Sequence, residues 1–294
     1  MSTESVLRSS GVYTTILGAL NQFQAFTDLQ YSPMPTTTLN AKYASDPANR
    51  GVVNLQQPPT TPALAYFGIG TRGFMNVGSY SSVAYPGDAR MMDLYAPIPI
   101  RCIRTSDEVN MSAEERDKYR LRVVKTLDDG LEYALYYLKK IEFSPTIEVV
   151  SKDTDGRENT FTFDPSTWLY NPVVPSLDET GGFINTNINR VIVRAKGICT
   201  VTHDEIMEAV NHMHNGDTNY ARVSEIGYYT GCEVGVNADW TYTESSSDIV
   251  YNEAAYVQLA KGHCFRGSEL TTPGSVIKPV VTFESESCIN VSVS

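Results

Sequence analysis

Long stretches of this chain are rich in Tyr, Thr, Val, Asn and Gly and are interrupted every few residues by turn formers, a texture that suits paired strands and leaves little room for long helices. The 18 Tyr against 10 Phe and 2 Trp point the same way. Tyr joins a large apolar ring to a hydroxyl that needs a partner, so it fits half-buried strands and contact surfaces. At 294 residues and 41% apolar content the chain can bury a sizeable core in one large β-rich domain or two smaller ones. The expected fold is mainly β, a β-sandwich-like core with two or three short helices, with α+β as the alternative.

The first hundred residues are poor in charge and dense in proline, as in Tyr31-Ser32-Pro33-Met34-Pro35 and Gln57-Pro58-Pro59-Thr60-Thr61-Pro62. Proline at that density disfavours long helices and central strands. Residues 1–95 are therefore read as an extended arm and edge-strand region that orders on a partner surface. Residues 96–294 are read as the β-rich core, with a possible internal boundary near 172–185, where Pro172, Pro175, Gly181 and Gly182 cluster.

Within that core, Ser112 and Glu115 form a capping-box pattern that starts a helical turn or two. Tyr119-Arg120-Leu121-Arg122-Val123 alternates apolar with basic residues, the period-two pattern of a half-buried strand. Its Arg and Lys, with those just before it, predict a solvated or interface-facing surface. Asp128-Asp129-Gly130 then supplies a turn, and Leu131, Tyr133, Leu135 and Tyr137 continue the alternation. Leu131, Ala134, Leu135 and Leu138 also fit helical spacing, but the hairpin is the preferred reading. A second hairpin runs from Ile147 and Val149 through Asp153-Thr154-Asp155-Gly156 to Phe161 and Phe163. Arg190 to Lys196 reads as a strand. The one longer helix starts at a second capping box, Thr202 with Glu205, buries Ile206, Met207, Val210 and Met213, and ends at Gly216.

Charge and cysteine use exclude several classes. A net charge of −11 argues against nucleic acid as partner, because phosphate binding needs concentrated Lys and Arg. No run approaches the ~20 apolar residues that cross a bilayer, so no membrane partner is expected, and Met1-Ser2-Thr3-Glu4-Ser5 lacks the basic start of a signal peptide. Five scattered cysteines without a C-x-x-C pair read as buried thiols.

The motifs that could carry chemistry are weak. Gly68-Ile69-Gly70-Thr71-Arg72-Gly73 matches the dinucleotide fingerprint, but Gly78, Pro86 and Gly87 follow where a helix must begin, so a close backbone approach is the better reading. Metal ligands gather only around His203, Asp204, Glu205, Glu208, His212 and His214, without an H-x-x-x-H pair. His263 and Cys264 are adjacent and so alternate in a strand, which separates a nucleophile from its base. The expectation is a non-enzymatic chain with no cofactor, no metal and no small-molecule substrate.

Pro62-Ala63-Leu64-Ala65-Tyr66-Phe67-Gly68-Ile69-Gly70, and Met111 to Arg122 leading into Tyr133 to Lys140, resemble virion structural proteins of large tailed bacteriophages, especially components of contractile tails and baseplates. The resemblance implies a protomer made in the bacterial cytoplasm and packed in the virion against itself and other virion proteins, and it carries over no catalytic residue. A neck or capsid-associated component is the alternative within that class. A glycan- or receptor-binding tail module is the alternative outside it and would use Trp168, Tyr170, Trp240 and Tyr242. Candidate interface residues are Pro58, Pro59, Tyr66, Phe67, Trp168 and Tyr170.

Overall fold

The computed structural model describes residues 9–14, 39, 63–76, 82–84, 90–152, 158–162, 190–236, 240, 251–270, 273–274, 276–277 and 280–287. In chain order the first strands are β1 (Ser9–Thr14), β2 (Ala63–Gly70), β3 (Phe74–Asn76), β4 (Ser82–Ala84), β5 (Pro97–Ile98) and β6 (Arg101–Arg104). Two single-turn helices follow, α1 (Thr105–Glu108) and α2 (Ala113–Arg116), then β7 (Tyr119–Thr126), β8 (Glu132–Lys140), β9 (Glu142–Lys152), β10 (Glu158–Thr162), β11 (Arg190–Ile198) and β12 (Val201–Thr202). Helix α3 (His203–Met213) precedes β13 (Arg222–Val236), β14 (Tyr251–Leu270), β15 (Val276–Ile277) and β16 (Val280–Ser287). The protein is mainly β, and every strand pair among the described residues is antiparallel.

The chain divides into two compact units, one of Met1–Ile141 with Cys199–Lys278, the other of Glu142–Ile198 with Pro279–Ser294. The smaller unit is a four-stranded sheet in the order β10-β9-β11-β16. Its β9–β10 hairpin places Phe161 opposite Val149, as the alternating pattern predicts. The turn at 153–157 and Phe163 lie outside the described residues, as does the boundary expected near 172–185.

The larger unit is built on an eight-stranded sheet whose main path runs β1-β14-β13-β2-β8-β6, with β7 paired to β8 and β5 to β2. The β7–β8 hairpin forms with Tyr119 opposite Lys139 and Thr126 opposite Glu132. The Leu127 amide donates to the Leu131 carbonyl at 3.0 Å, which leaves Asp128, Asp129 and Gly130 as the loop, and Gly130 at φ +76° takes a left-handed position that glycine adopts without a Cβ clash. Asp129 Oδ1 accepts the Leu131 amide at 3.0 Å and Oδ2 accepts the Tyr133 hydroxyl at 2.7 Å, which fixes the turn.

Residues Ala63–Gly70 depart from the arm expected before residue 95. They form an interior strand between β13 and β8, with Tyr66 and Phe67 fully buried. The prolines flank this run without entering it, so its ladder keeps every amide donor. Pro58 and Pro59 lie outside the described residues.

Helix α3 follows the sequence pattern closely. The Thr202 hydroxyl accepts the Glu205 amide at 3.2 Å, and the Glu205 carboxylate accepts the Thr202 amide at 2.8 Å. Ile206, Ala209 and Val210 are buried, whereas Met207 and Met213 are only partly so. Gly216 closes the helix end at φ +75°. Thr202→Ala is expected to cost about 1 kcal/mol of stability in urea unfolding, the usual worth of an N-cap. At α2 only half of the box forms: Ser112 Oγ accepts the Glu115 amide, while the Glu115 carboxylate turns instead to Arg101 at 2.9 Å. Among the described residues no helix is long and apolar enough to cross a membrane.

Candidate functional site

The charged side chains of the larger unit converge where β7 meets β13 and β14. Arg120, predicted to face solvent or a partner, is instead 0% exposed. Its Nε and Nη2 lie 3.1 and 3.0 Å from Glu233 Oε1, and Nη2 also reaches Asp117 Oδ1 at 2.9 Å. Its Nη1 donates to the carbonyls of Arg116, Asp117 and Tyr119 at 2.8–3.2 Å. Lys140 Nζ joins Asp117 and Glu233 at 3.1 and 3.4 Å, and the Tyr66 hydroxyl donates to Glu233 at 3.3 Å. Burial opposes the charge on Arg120, but Glu233, Glu253 and Asp117 outweigh it and raise its pKa above the ordinary value.

Two residues along, Arg122 is also buried and makes a two-pronged pair with Glu108, with Nε to Oε1 and Nη2 to Oε2 both at 2.6 Å. The Tyr136 hydroxyl donates to the same Glu108 carboxylate. The Arg122 guanidinium lies over the Trp240 ring at 4.6 Å, Trp240 stacks on Tyr251 at 5.4 Å, and Arg116 lies over Tyr251 at 4.8 Å. Between the two arginines Leu121 adopts φ +57° and turns its amide out of the ladder toward Glu253 Oε1, 2.7 Å away. The Glu253 carboxylate thus joins β7 to the start of β14, two strands that share no ladder.

The glycine motif ends in a different chemistry from the one its spacing suggests. The Arg72, Tyr95 and Ala96 amides converge on the Glu225 carboxylate at 2.6, 2.7 and 3.2 Å, and the Gly73 amide donates to Ser224 Oγ at 2.8 Å. The turn cradles an anion that β13 itself supplies. A Cβ on Gly73 would stand 2.0 Å from the Ser224 carbonyl oxygen, and one on Gly70 2.7 Å from that of Ala96. The expected close approach of two backbones is therefore found, and the turn leads into β3 where a nucleotide fold needs a helix. Burial raises the Glu225 pKa, with the three amides opposing it in part.

The acidic side chains around α3 are likewise engaged with cations of the sheet. Arg101 Nη1 contacts both Glu208 oxygens at 2.7 and 2.6 Å, and Lys139 Nζ and the Tyr119 hydroxyl reach Glu205 Oε1 at 2.7 and 2.5 Å. Burial works against the Glu205 charge, yet Lys139, Tyr119 and the Thr202 amide hold its pKa below the usual range. His212 packs against Tyr133 with ring centres 4.5 Å apart, and His214 stacks on Tyr220 at 3.9 Å. Among the described residues no three His, Cys, Asp or Glu side chains gather as a metal site would require. The backbone places His263 and Cys264 in β14 opposite Ile226 and Glu225. Cys102, Cys199 and Cys232 are buried thiols, and burial pushes Cys102 up to about 12.

Of the candidate interface residues, Tyr66 and Phe67 are core residues with no exposed surface, a correction that follows from the interior place of β2. Trp168 and Tyr170 lie outside the described residues, together with Tyr242. Trp240 is described, and its ring is occupied by Tyr251 and Arg122. The functional weight that residue spacing could not locate rests on Glu108, Glu225, Glu233 and Glu253, each isolated in sequence from its partner. Only the paired Arg120 and Arg122 gave a signal, and it was read as a surface.

These features define an antiparallel β protein whose buried carboxylates bind its own amides and guanidinium groups. The chain belongs to the family of unknown function DUF7208, whose model matches residues 1–264. No curated protein and no solved structure matches it.

Proposed function

We propose that this chain is a non-enzymatic structural subunit of a tailed-phage virion, assembling with itself and other virion proteins in the tail or baseplate through extended segments and strand edges. The observation that carries the reading is the use to which the buried charges are put. Arg120, Arg122, Glu108, Glu225 and Glu253 tie the strands to one another, to α1 and to the turns between them, which suits a subunit that must hold its shape under load. The resemblance of Pro62–Gly70, Met111–Arg122 and Tyr133–Lys140 to tail and baseplate proteins supplies the context, and the net charge of −11 would keep the unassembled subunit soluble.

Size-exclusion chromatography with light scattering, followed by electron microscopy of the eluted species, tests the assembly step. Defined oligomers, rings or filaments are the expected result, formed by the chain alone or on mixing with the other tail proteins. A monomer that stays monomeric in both conditions contradicts the reading.

A further inference from the structure

We propose that the seam between β7 and β14 is a binding site for one water, shared by Arg122 Nη1 and Glu253 Oε2. Two unpartnered atoms of opposite chemistry carry this. Arg122 and Glu253 are 5% and 1% exposed, and among the described residues neither the Nη1 donor nor the Oε2 acceptor has a hydrogen-bond partner. Buried polar atoms of folded chains are met by protein groups or by ordered water. The rest of each side chain is engaged, which fixes where the ligand sits. Arg122 uses Nε and Nη2 on the two Glu108 oxygens, and Glu253 uses Oε1 on the Leu121 and Ala254 amides at 2.7 and 2.8 Å.

Glu253 lies near enough to act on the Arg122 charge, and the Leu121 amide that holds it belongs to the residue beside Arg122. The two side chains nevertheless form no ion pair, their nitrogens and oxygens standing more than 4.0 Å apart. A polar pair at that separation is spanned by one intervening molecule. The mixed chemistry selects which. An anion would suit Nη1 but meet the Glu253 and Glu108 carboxylates, and a cation would suit Oε2 but meet the Arg122 and Arg120 guanidinium groups. Water accepts from Nη1 and donates to Oε2. It serves equally if Glu253 carries a proton, by accepting from the acid hydroxyl, so the site holds whatever the charge on Glu253. Because β7 and β14 share no ladder, this water links the Glu108–Arg122 pair to the amides held by Glu253 and makes one network of α1, β7 and β14. This inference does not depend on the virion reading.

High-resolution crystals of the full wild-type chain test it, one native and one soaked in rubidium bromide. In maps that show ordered water elsewhere in the chain, one solvent peak is expected within about 2.7–3.2 Å of both Arg122 Nη1 and Glu253 Oε2, with no anomalous signal after the soak. In solution the same molecule should give a nuclear Overhauser contact to the Arg122 guanidinium protons, of the sign that marks a long-lived, bound water. A seam without the peak, a direct bond between Arg122 and Glu253, or a protein partner on either atom overturns the site. An anomalous signal in the peak assigns an ion and overturns the choice of water. A peak in the crystal with no such contact in solution marks water held by the lattice alone and counts against the proposal.

Discussion

Arg120→Ala is expected to lower the stability of the larger unit by about 3–5 kcal/mol, among the largest effects of any single substitution in this chain. The reason lies in what is left behind more than in what is removed. The guanidinium is 0% exposed and uses its donors on Glu233, Asp117 and three backbone carbonyls. Without it those carbonyls lose a donor, and among the described residues Glu233 and Asp117 keep only Lys140 as a cationic partner. Urea unfolding of Arg120→Ala, Glu233→Ala and the double variant separates the pair from its surroundings. The double variant should lose less than the two single losses combined, because removing both partners strands neither. Additive losses would mean that Arg120 matters only through packing of its stem.

Gly73→Ala should cost about 3 kcal/mol or prevent folding, at the upper end of what overpacking does. The methyl would lie 2.0 Å from the Ser224 carbonyl oxygen, a backbone atom that cannot rotate away. Relieving the clash means separating this turn from β13, which breaks the Gly73 amide bond to Ser224 Oγ and disturbs the amides gathered on Glu225. Gly130→Ala is the fitting comparison. Gly130 has a left-handed backbone at φ +76° but nothing within 4 Å of an added Cβ, so its cost is conformational, about 1 kcal/mol. Thermal or urea unfolding of both variants should rank them in that order, and equal losses would argue against the close approach of the turn to β13.

What the sequence made legible was local. The β7–β8 hairpin was visible because its alternation and its Asp-Asp-Gly turn lie within a few residues of each other, and α3 because Thr202 and Glu205 are three apart. The mainly β class followed from the same short-range signals. Period two at Arg120 and Arg122 correctly gave a strand, but it could not say whether the second face meets water or protein. The answer depends on Glu233 and Glu253, 113 and 132 residues along the chain from the groups they bind on β7. Glu225 reaches the glycine turn across 153 residues, so the turn was readable while the anion in it was not. The interior place of Ala63–Gly70 was hidden by its proline-rich flanks, whose composition was extended over a run that contains none. Tyr66 and Phe67 were consequently read as contact residues when they belong to the core.

The most direct test of the structural-subunit account is quantitative mass spectrometry of tailed particles purified by density gradient from cells that produce this chain, with gold labelling to locate it. The account predicts that the chain co-sediments with intact particles at a fixed copy number relative to the other tail proteins, with label confined to the tail or baseplate. A chain that remains in the soluble fraction and is missing from washed particles would contradict it.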